Sequence, residues 1–327
     1  MAKMINQVTW GIIGVGDVCE KKSAPALRKI EHSDIKIVMR RDGDRAADYA
    51  RRHGIAHWTT DAERVFTDPD VNAIYIATPP HAHEELARRA AAVGKPTYVE
   101  KPMARTHAEC ERMVQAFQRA DLPLWVAYYR RALPNVLWVK ELLDQGTIGA
   151  VRMVTIELFQ PLRTGSELDW RVDPAVSGGG LFHDLASHQF DLLDFLLGPV
   201  QSATGVATNQ AGAYPADDGV AASFAFANGA LGTGSWCFTT DERSRRDQIT
   251  LVGERGIIRF DAFATFTVEV DAEATGRQVR SFTMPEHIQQ PLIQQIVDEL
   301  RGEGHCVNTG VSAARTSSVL DEVTRRS

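Results

Sequence analysis

Short apolar runs alternate with helix-compatible stretches through the first 126 positions. Val8 to Ile13, Asp34 to Met39, Ala73 to Ala77, Pro96 to Val99 and Leu124 to Ala127 read as strands, each closed by turn residues. Val8 to Ile13 and the short apolar strand Pro96 to Val99 read as buried. Between them lie helical segments: one reaching about Ile30, one from Asp44 to His53, an alanine-rich one ending at Val93 and one from Thr106 to Ala120. Strand and helix in alternation imply right-handed crossovers, so the sheet is expected to be mostly parallel, with helices on its faces.

Beyond Tyr128 the pattern changes. Pro134 to Gln145 reads as a helix stopped by Gly146, and Val151 to Phe159 begins a series of strands. Ala203 to Thr208, Val220 to Phe226, Ala230 to Phe238, Gln248 to Val252, Gly256 to Phe260 and Phe266 to Val270 continue it through turn-rich connections. Strands that follow one another without crossover helices pair antiparallel, and such a sheet can offer one face to a second subunit. The long interruption after the first of these strands holds a helix from Leu181 to Leu197, with Leu185, Leu192, Phe195 and Leu196 as its packed stripe. Two last helices, Glu286 to Arg301 and Val311 to Arg326, are compatible with packing on either part. The expected architecture is an α/β domain over residues 1–126, then an α+β domain over 127–327 with a large, mainly antiparallel open sheet.

A chain of 327 residues exceeds what one core usually organises, in keeping with two domains. Residues 1–126 hold 19 Lys+Arg against 17 Asp+Glu and the remainder 17 against 25, so the second domain is the acidic one. No basic block suited to phosphate backbones occurs, which argues against nucleic-acid binding. Cys19, Cys110, Cys237 and Cys306 are too dispersed for a paired metal motif or a disulfide framework. The amino-terminal residues lack the apolar core of a signal peptide, and no apolar run reaches membrane-spanning length. A reducing cytoplasm is the expected location.

The first strand runs straight into Gly14-Val15-Gly16-Asp17-Val18-Cys19 and then a helix. Gly14 and Gly16 stand at the first two positions of the dinucleotide fingerprint, where glycine permits a tight turn and the close approach of backbone to a pyrophosphate. Cys19 takes the third position and is small enough to keep the helix close. The second strand ends in Arg40-Arg41-Asp42 rather than in a lone acid. Guanidinium groups there match a 2′-phosphate, so NADP is expected over NAD; the NAD alternative would use Asp42 as the ribose ligand. The third strand runs into Thr78-Pro79-Pro80-His81-Ala82-His83, whose prolines make a rigid turn able to lie against a cofactor. His83 equally suits the start of a helix.

Lys101, in Tyr98-Val99-Glu100-Lys101-Pro102, ends the next strand at the edge of the sheet where ligands bind in open α/β folds. In the second domain, Asp169-Trp170-Arg171 precedes Gly178-Gly179-Gly180 and a helix bearing His183, Asp184 and His188. Asp184 and His188 are four apart and share a face; a carboxylate there can orient the imidazole and raise its basicity, as a general base requires. The three glycines suggest a close backbone approach to a ligand at the helix's amino end. His183 faces elsewhere and reads as structural, and the spacing of the three polar residues does not suit a metal site.

Taken together, Gly14-Val15-Gly16, Ala77-Thr78-Pro79-Pro80 with His83, Glu100-Lys101-Pro102, and Gly178-Gly179-Gly180 followed by Asp184 and His188 resemble the Gfo/Idh/MocA oxidoreductases, the relatives of glucose-fructose oxidoreductase and inositol dehydrogenase. The resemblance covers nearly the whole chain. It implies a Rossmann dinucleotide-binding domain, a carboxy-terminal domain with a large open sheet, and nicotinamide-dependent oxidation or reduction of sugars, cyclitols or related polyols. By the same resemblance Lys101 touches the nicotinamide ribose and the reacting oxygen, His188 transfers the proton and Asp184 contacts the substrate.

The expected cofactor contacts are Gly14, Gly16, Asp17, Val18, Arg40, Arg41, Thr78, Pro79, His83, Glu100 and Lys101. Tyr129, Arg163, Trp170, Arg171, Asp184 and His188 are the expected substrate contacts, with Arg130 and His287 as further candidates, because aromatic and guanidinium groups suit sugar faces and anionic substituents. No metal is expected, and a homodimer or homotetramer is. Two other activities are compatible with the fold: a non-catalytic nucleotide- or sugar-sensing regulator, and a glycosidase that uses its bound cofactor transiently. Lys101 and His188 together favour catalysis, since a regulator has no need of both.

Overall fold

The structure, a computed structural model, describes residues 5–163 and 170–325. Residues 5–104, Ala108–Tyr129 and Pro285–Ala314 make one unit; Arg105–His107, the described part of Arg130–Met284 and residues 315–325 make another.

The first unit holds six strands: β1 (Val8–Ile13), β2 (Ser33–Met39), β3 (His57–Thr59), β4 (Ala73–Ile76), β5 (Thr97–Val99) and β6 (Leu124–Val126), in the order β3-β2-β1-β4-β5-β6. Every pair is parallel. This is the doubly wound order, whose crevice opens beyond the carboxyl ends of β1 and β4, where the winding reverses. β4, β5 and β6 are buried at each position, as their unbroken apolar runs require. β3 was not among the expected strands: it is a three-residue edge strand with two residues exposed, too short to show a pattern. A π-helical turn (Cys19–Ser23) runs into α1 (Ala24–Lys29), and α2 (Gly43–Arg52), α3 (Ala62–Thr67), α4 (His83–Ala92) and α5 (His107–Arg119) follow. Asp42 caps α2, its carboxylate accepting from the Arg45 amide at 3.1 Å.

The second unit begins with α6 (Pro134–Asp144) and β7 (Val151–Pro161), then α7 (Pro174–Ser177) and α8 (Gly180–Leu197). Seven strands follow: β8 (Val200–Thr208), β9 (Gly219–Phe226), β10 (Leu231–Thr240), β11 (Arg246–Gly253), β12 (Gly256–Phe260), β13 (Thr267–Ala272) and β14 (Gly276–Ser281). Their order, β14-β13-β12-β11-β7-β10-β9-β8, is antiparallel except for the parallel pair β7 and β10. β14 had no readable signal, because all six of its residues are exposed. One face of the sheet carries Ile156, Leu158, Phe224, Trp236, Ile249 and Ile258 into the core. On its other face Leu231 and Met153 are register partners and both are exposed.

α8 departs from expectation in one respect. Instead of one apolar stripe it is buried on nearly every side, with Phe182, Phe190 and Leu193 joining Leu192 and Leu196. Its polar residues are therefore internal. Trp236 Nε1 donates to Gln189 Oε1 at 2.7 Å, Arg131 grips both oxygens of Asp191 at 2.7 and 2.8 Å, and Arg315 reaches Asp194 at 2.8 Å.

The two remaining helices are α9 (Gln290–Arg301) and α10 (Gly310–Thr324). The sequence left open where α9 packs; it falls within the first unit, with Leu292, Ile293, Ile296 and Val297 buried. All four cysteines are free, and no helix among the described residues is long and apolar enough to cross a membrane.

Glu20, on the helical turn after the glycines, ties that turn to α2: Arg52 donates to it at 2.9 Å and the His53 ring lies 2.8 Å away. Arg52 and then His53 hold its carboxyl at about 2, down from the ordinary 4.5. A depressed folded value means that the stabilisation is complete above about 4.5 and is lost as pH falls through about 2. Glu20→Gln should lower stability at pH 7 by roughly 1–2 kcal/mol, since water screens part of the pair. Urea unfolding of the two proteins should converge near pH 2, and identical curves at pH 7 would show that the pair contributes nothing.

Candidate functional site

In the first unit the predicted residues gather at the carboxyl ends of β1, β2, β4 and β5. Gly14 adopts φ +96, and a Cβ there would stand 2.7 Å from Thr78 Cγ2 and 2.9 Å from the Thr78 amide nitrogen. Glycine is thus what lets the turns after β1 and β4 press together. Gly16 differs: a Cβ on it would meet nothing within 4 Å, so it faces open space where the helix begins. Asp17 is exposed and Val18 half-buried beside it. Cys19 is wholly buried, and burial pushes its thiol up to about 12, so it is a neutral packing group.

At the end of β2, Arg40 is half-buried and its Nη1 donates to the Val15 carbonyl of the glycine turn at 3.0 Å. Arg41 is exposed, and among the described residues it has no hydrogen-bond or ion-pair partner. Asp42 is engaged in the α2 cap and lies 3.4 Å from the Arg45 guanidinium.

Past β4, Pro79 is half-buried, and Thr78 carries a buried hydroxyl with no hydrogen-bond partner among the described residues. His83 is fully buried. Its Nε2 lies 2.6 Å from the Thr78 carbonyl oxygen, and its Nδ1 is 3.1 Å from those of Pro102 and Met103. Burial lowers its pKa, with the three carbonyls opposing. The ring therefore braces the Thr78 turn against the Pro102 turn. Lys101 is half-buried just beyond β5, and the bond from it to Pro102 is cis. Its amide donates to Glu100 Oε2 at 3.2 Å. Two candidate substrate residues also lie in this unit: Tyr129 is buried, and the His287 ring is 3.4 Å from the Lys21 carbonyl oxygen.

In the second unit Trp170, Arg171 and Asp184 come together. The Arg171 guanidinium lies 4.3 Å from the centroid of the Trp170 ring, and its Nε is 3.8 Å from Asp184 Oδ2. His188, one turn along α8, is 2% exposed and meets the ring of Phe263 edge-on at 6.0 Å. The Arg130 guanidinium stands 4.5 Å from the same phenyl ring. Sequence reasoning missed Phe263. Its loop is pinned by backbone amides, with Phe263 N donating to Asp247 at 2.6 Å and Thr265 N to Asp261 at 2.9 Å. Two aspartates flanking a strand pair were the only signal, and capping aspartates are common. Arg163 is exposed and donates to Gln160 at 2.9 Å, while Asp169 lies outside the described residues.

The glycines before α8 need a different account from the one their spacing suggested. A Cβ on Gly178 would fall 2.6 Å from the Arg105 carbonyl oxygen, one on Gly179 1.8 Å from the His183 ring, and one on Gly180 2.4 Å from Ala216 Cβ. Internal packing by itself requires glycine at all three. His183 is buried, with Nε2 3.9 Å from Asp321. No cluster of three His, Cys, Asp or Glu able to hold a metal ion occurs among the described residues.

Comparison with known proteins gives two family matches. Residues 8–128 match the oxidoreductase family with an NAD-binding Rossmann fold, and residues 136–259 match the GFO/IDH/MocA C-terminal domain. Oxidoreductase P35 of Formosa agariphila is 41% identical over 322 residues, covering 97% of this chain and 98% of that protein. Levoglucosan dehydrogenase of Pseudarthrobacter phenanthrenivorans is 31% identical over 253 residues, which cover 69% of this chain and 64% of the other. A solved levoglucosan dehydrogenase in complex with NADH and levoglucosan superposes with a TM-score of 0.87 at 24% identity, covering 98% of this chain and 97% of that one.

The two glycines of the first turn should respond differently to alanine. Gly14→Ala meets Thr78 in a strained backbone region and should lower stability by about 1–3 kcal/mol. Gly16→Ala should leave the thermal midpoint unchanged and weaken NADPH or NADH at least about tenfold, a difference of about 1.4 kcal/mol, in a fluorescence titration. Wild-type affinity in Gly16→Ala would move the dinucleotide away from this turn.

Proposed function

The chain belongs to the Gfo/Idh/MocA family of oxidoreductases, and from that premise we propose that it transfers a hydride between NADP and a carbinol or carbonyl carbon of a sugar, cyclitol or related polyol. The observation that carries this reading is the placement of Lys101 at the end of β5, beside β4, whose turn meets that of β1. Levoglucosan, which names two of the proteins above, belongs to this substrate class.

The residues present fit a dinucleotide. Open space at Gly16, the unpartnered Thr78 hydroxyl and the exposed Arg41 supply backbone approach, a hydrogen-bonding group and positive charge. With Asp42 committed to its cap, the turn after β2 offers arginines rather than an acid, which supports NADP over the NADH carried by the solved relative. Asp17, Val18 and Pro79 border the same turns. His83, enclosed by carbonyls, acts on the cofactor through the turns it braces.

When bound, the nicotinamide supplies or accepts the hydride. The chain's own part is orientation and proton handling. His188 takes the hydroxyl proton in oxidation and returns it in reduction, a role that typically contributes roughly a hundred- to ten-thousandfold in rate. Lys101 stabilises negative charge on the reacting oxygen. Asp184 holds a substrate hydroxyl and is itself steadied by Arg171, while Trp170 presents an aromatic face to the ring and Tyr129 and Arg163 supply further polar contacts. The exposed apolar pair Leu231 and Met153 supports association of two copies through the open face of the second sheet, which sedimentation of the purified chain checks. Four free cysteines suit a cytoplasmic protein.

Arg41→Ala should weaken NADPH by roughly ten- to hundredfold and leave NADH unchanged, as loss of charge-assisted hydrogen bonds to a 2′-phosphate requires. Equal NADH and NADPH affinities in wild type would remove the NADP assignment. In a screen of polyols and keto-sugars, Lys101→Ala and His188→Ala should each lower kcat by about a hundredfold or more while NADPH still binds. Undiminished turnover in either variant would refute that residue's role.

A further inference from the structure

A buried polar network lies directly beneath Lys101, within the first unit. Tyr75 OH donates to Glu100 Oε1 at 2.6 Å, and Gln289 Nε2 donates to the same oxygen at 2.8 Å. Tyr98 OH in turn donates to Gln289 Oε1 at 3.0 Å. Glu100's second oxygen accepts the Lys101 amide at 3.2 Å. Tyr75, Tyr98 and Gln289 are wholly buried, and the two tyrosine rings stack at 5.0 Å. Burial holds both phenols far above their ordinary range, so each hydroxyl stays a donor at any working pH. Because the Glu100 carboxylate only accepts, the nitrogen end of the Gln289 amide must face it, which leaves the oxygen end to accept from Tyr98. A carboxylate at this depth is tolerated only when its lone pairs are met, and three donors meet them.

We propose that Tyr75 and Gln289 are positioning residues for Lys101, acting through Glu100. The inference rests on the reading of Lys101 as a reacting group. Two donors fix one carboxylate oxygen, the rigid carboxylate presents the other to the Lys101 amide, and that bond sets the direction in which the chain leaves β5. Glu100 is thereby a support for its neighbour rather than a contact to the dinucleotide. If either donor is lost, the carboxylate is left partly unsatisfied and turns or draws in water, and Lys101 loses its reference.

The test uses Tyr75→Phe, Gln289→Leu and Gln289→Glu in the full chain. Without cofactor or substrate, hydrogen exchange at the Lys101 amide should rise by about tenfold in Tyr75→Phe and Gln289→Leu, with exchange in the second unit unchanged. With NADP and the best polyol of the screen, kcat should fall roughly ten- to hundredfold while KM for the polyol stays within about threefold. Gln289→Glu is the diagnostic variant. It sets a second carboxyl beside Glu100, the two share a proton, and the protonated acid can donate as the amide did. Its activity should recover at acid pH and fall as pH rises through a new ionisation absent from wild type. Wild-type exchange at Lys101 together with a wild-type pH profile in Gln289→Glu would overturn the proposal. Full turnover by Lys101→Ala would instead refute the reading beneath it, whatever the exchange data show.

Discussion

The first unit depends on how closely two backbone turns approach each other. Gly14 and the Thr78 turn meet where no side-chain carbon fits between them, at the point where the sheet reverses its winding. Everything that follows from a dinucleotide lying across β1 and β4 needs that closeness, because a wider gap would pull the glycine turn away from β4 and its open side away from the ligand. The neighbouring contacts reinforce it. Arg40 bonds the glycine turn from the end of β2, and His83 joins the Thr78 turn to the turn after β5. Loops from distant parts of the chain are in this way held together by side chains that reach between their backbone carbonyls.

Much of this was legible in the sequence, and for identifiable reasons. Buried strands such as β4 leave short apolar runs closed by turn residues, so five of the six strands of the first sheet could be read, and only the exposed edge strand β3 could not. The turn after β1 announced itself by its two glycines, of which Gly14 is needed for a close approach while Gly16 leaves open space. The glycines before α8 produce the same signal for another reason. Three consecutive glycines look alike in sequence whether the neighbour is a ligand or, as here, Arg105, His183 and Ala216.

What stayed hidden is what depends on partners remote in sequence. Gln289 meets Glu100 across 189 positions, and nothing in its own neighbourhood marks it. Phe263 reaches His188 only because two aspartates gather the amides of its loop. The polar residues of α8 belong to the same class. Asp191 and Asp194 look like a solvated face until Arg131 and Arg315 are seen to close on them, and a helix with such internal pairs has no single apolar stripe to find.

The return of residues 285–314 to the first unit bears on how this fold can be handled as a module. A fragment cut after Tyr129 would contain every strand of the parallel sheet and every glycine of the first turn, and would look self-sufficient on paper. It would also lack α9 and Gln289, leaving Glu100 without one of its donors and β6 without the side chain of Asn308, which accepts the Val126 amide at 3.3 Å. The transplantable dinucleotide module is therefore two pieces of chain rather than one, and grafting it elsewhere means carrying residues 285–314 along with the amino-terminal piece.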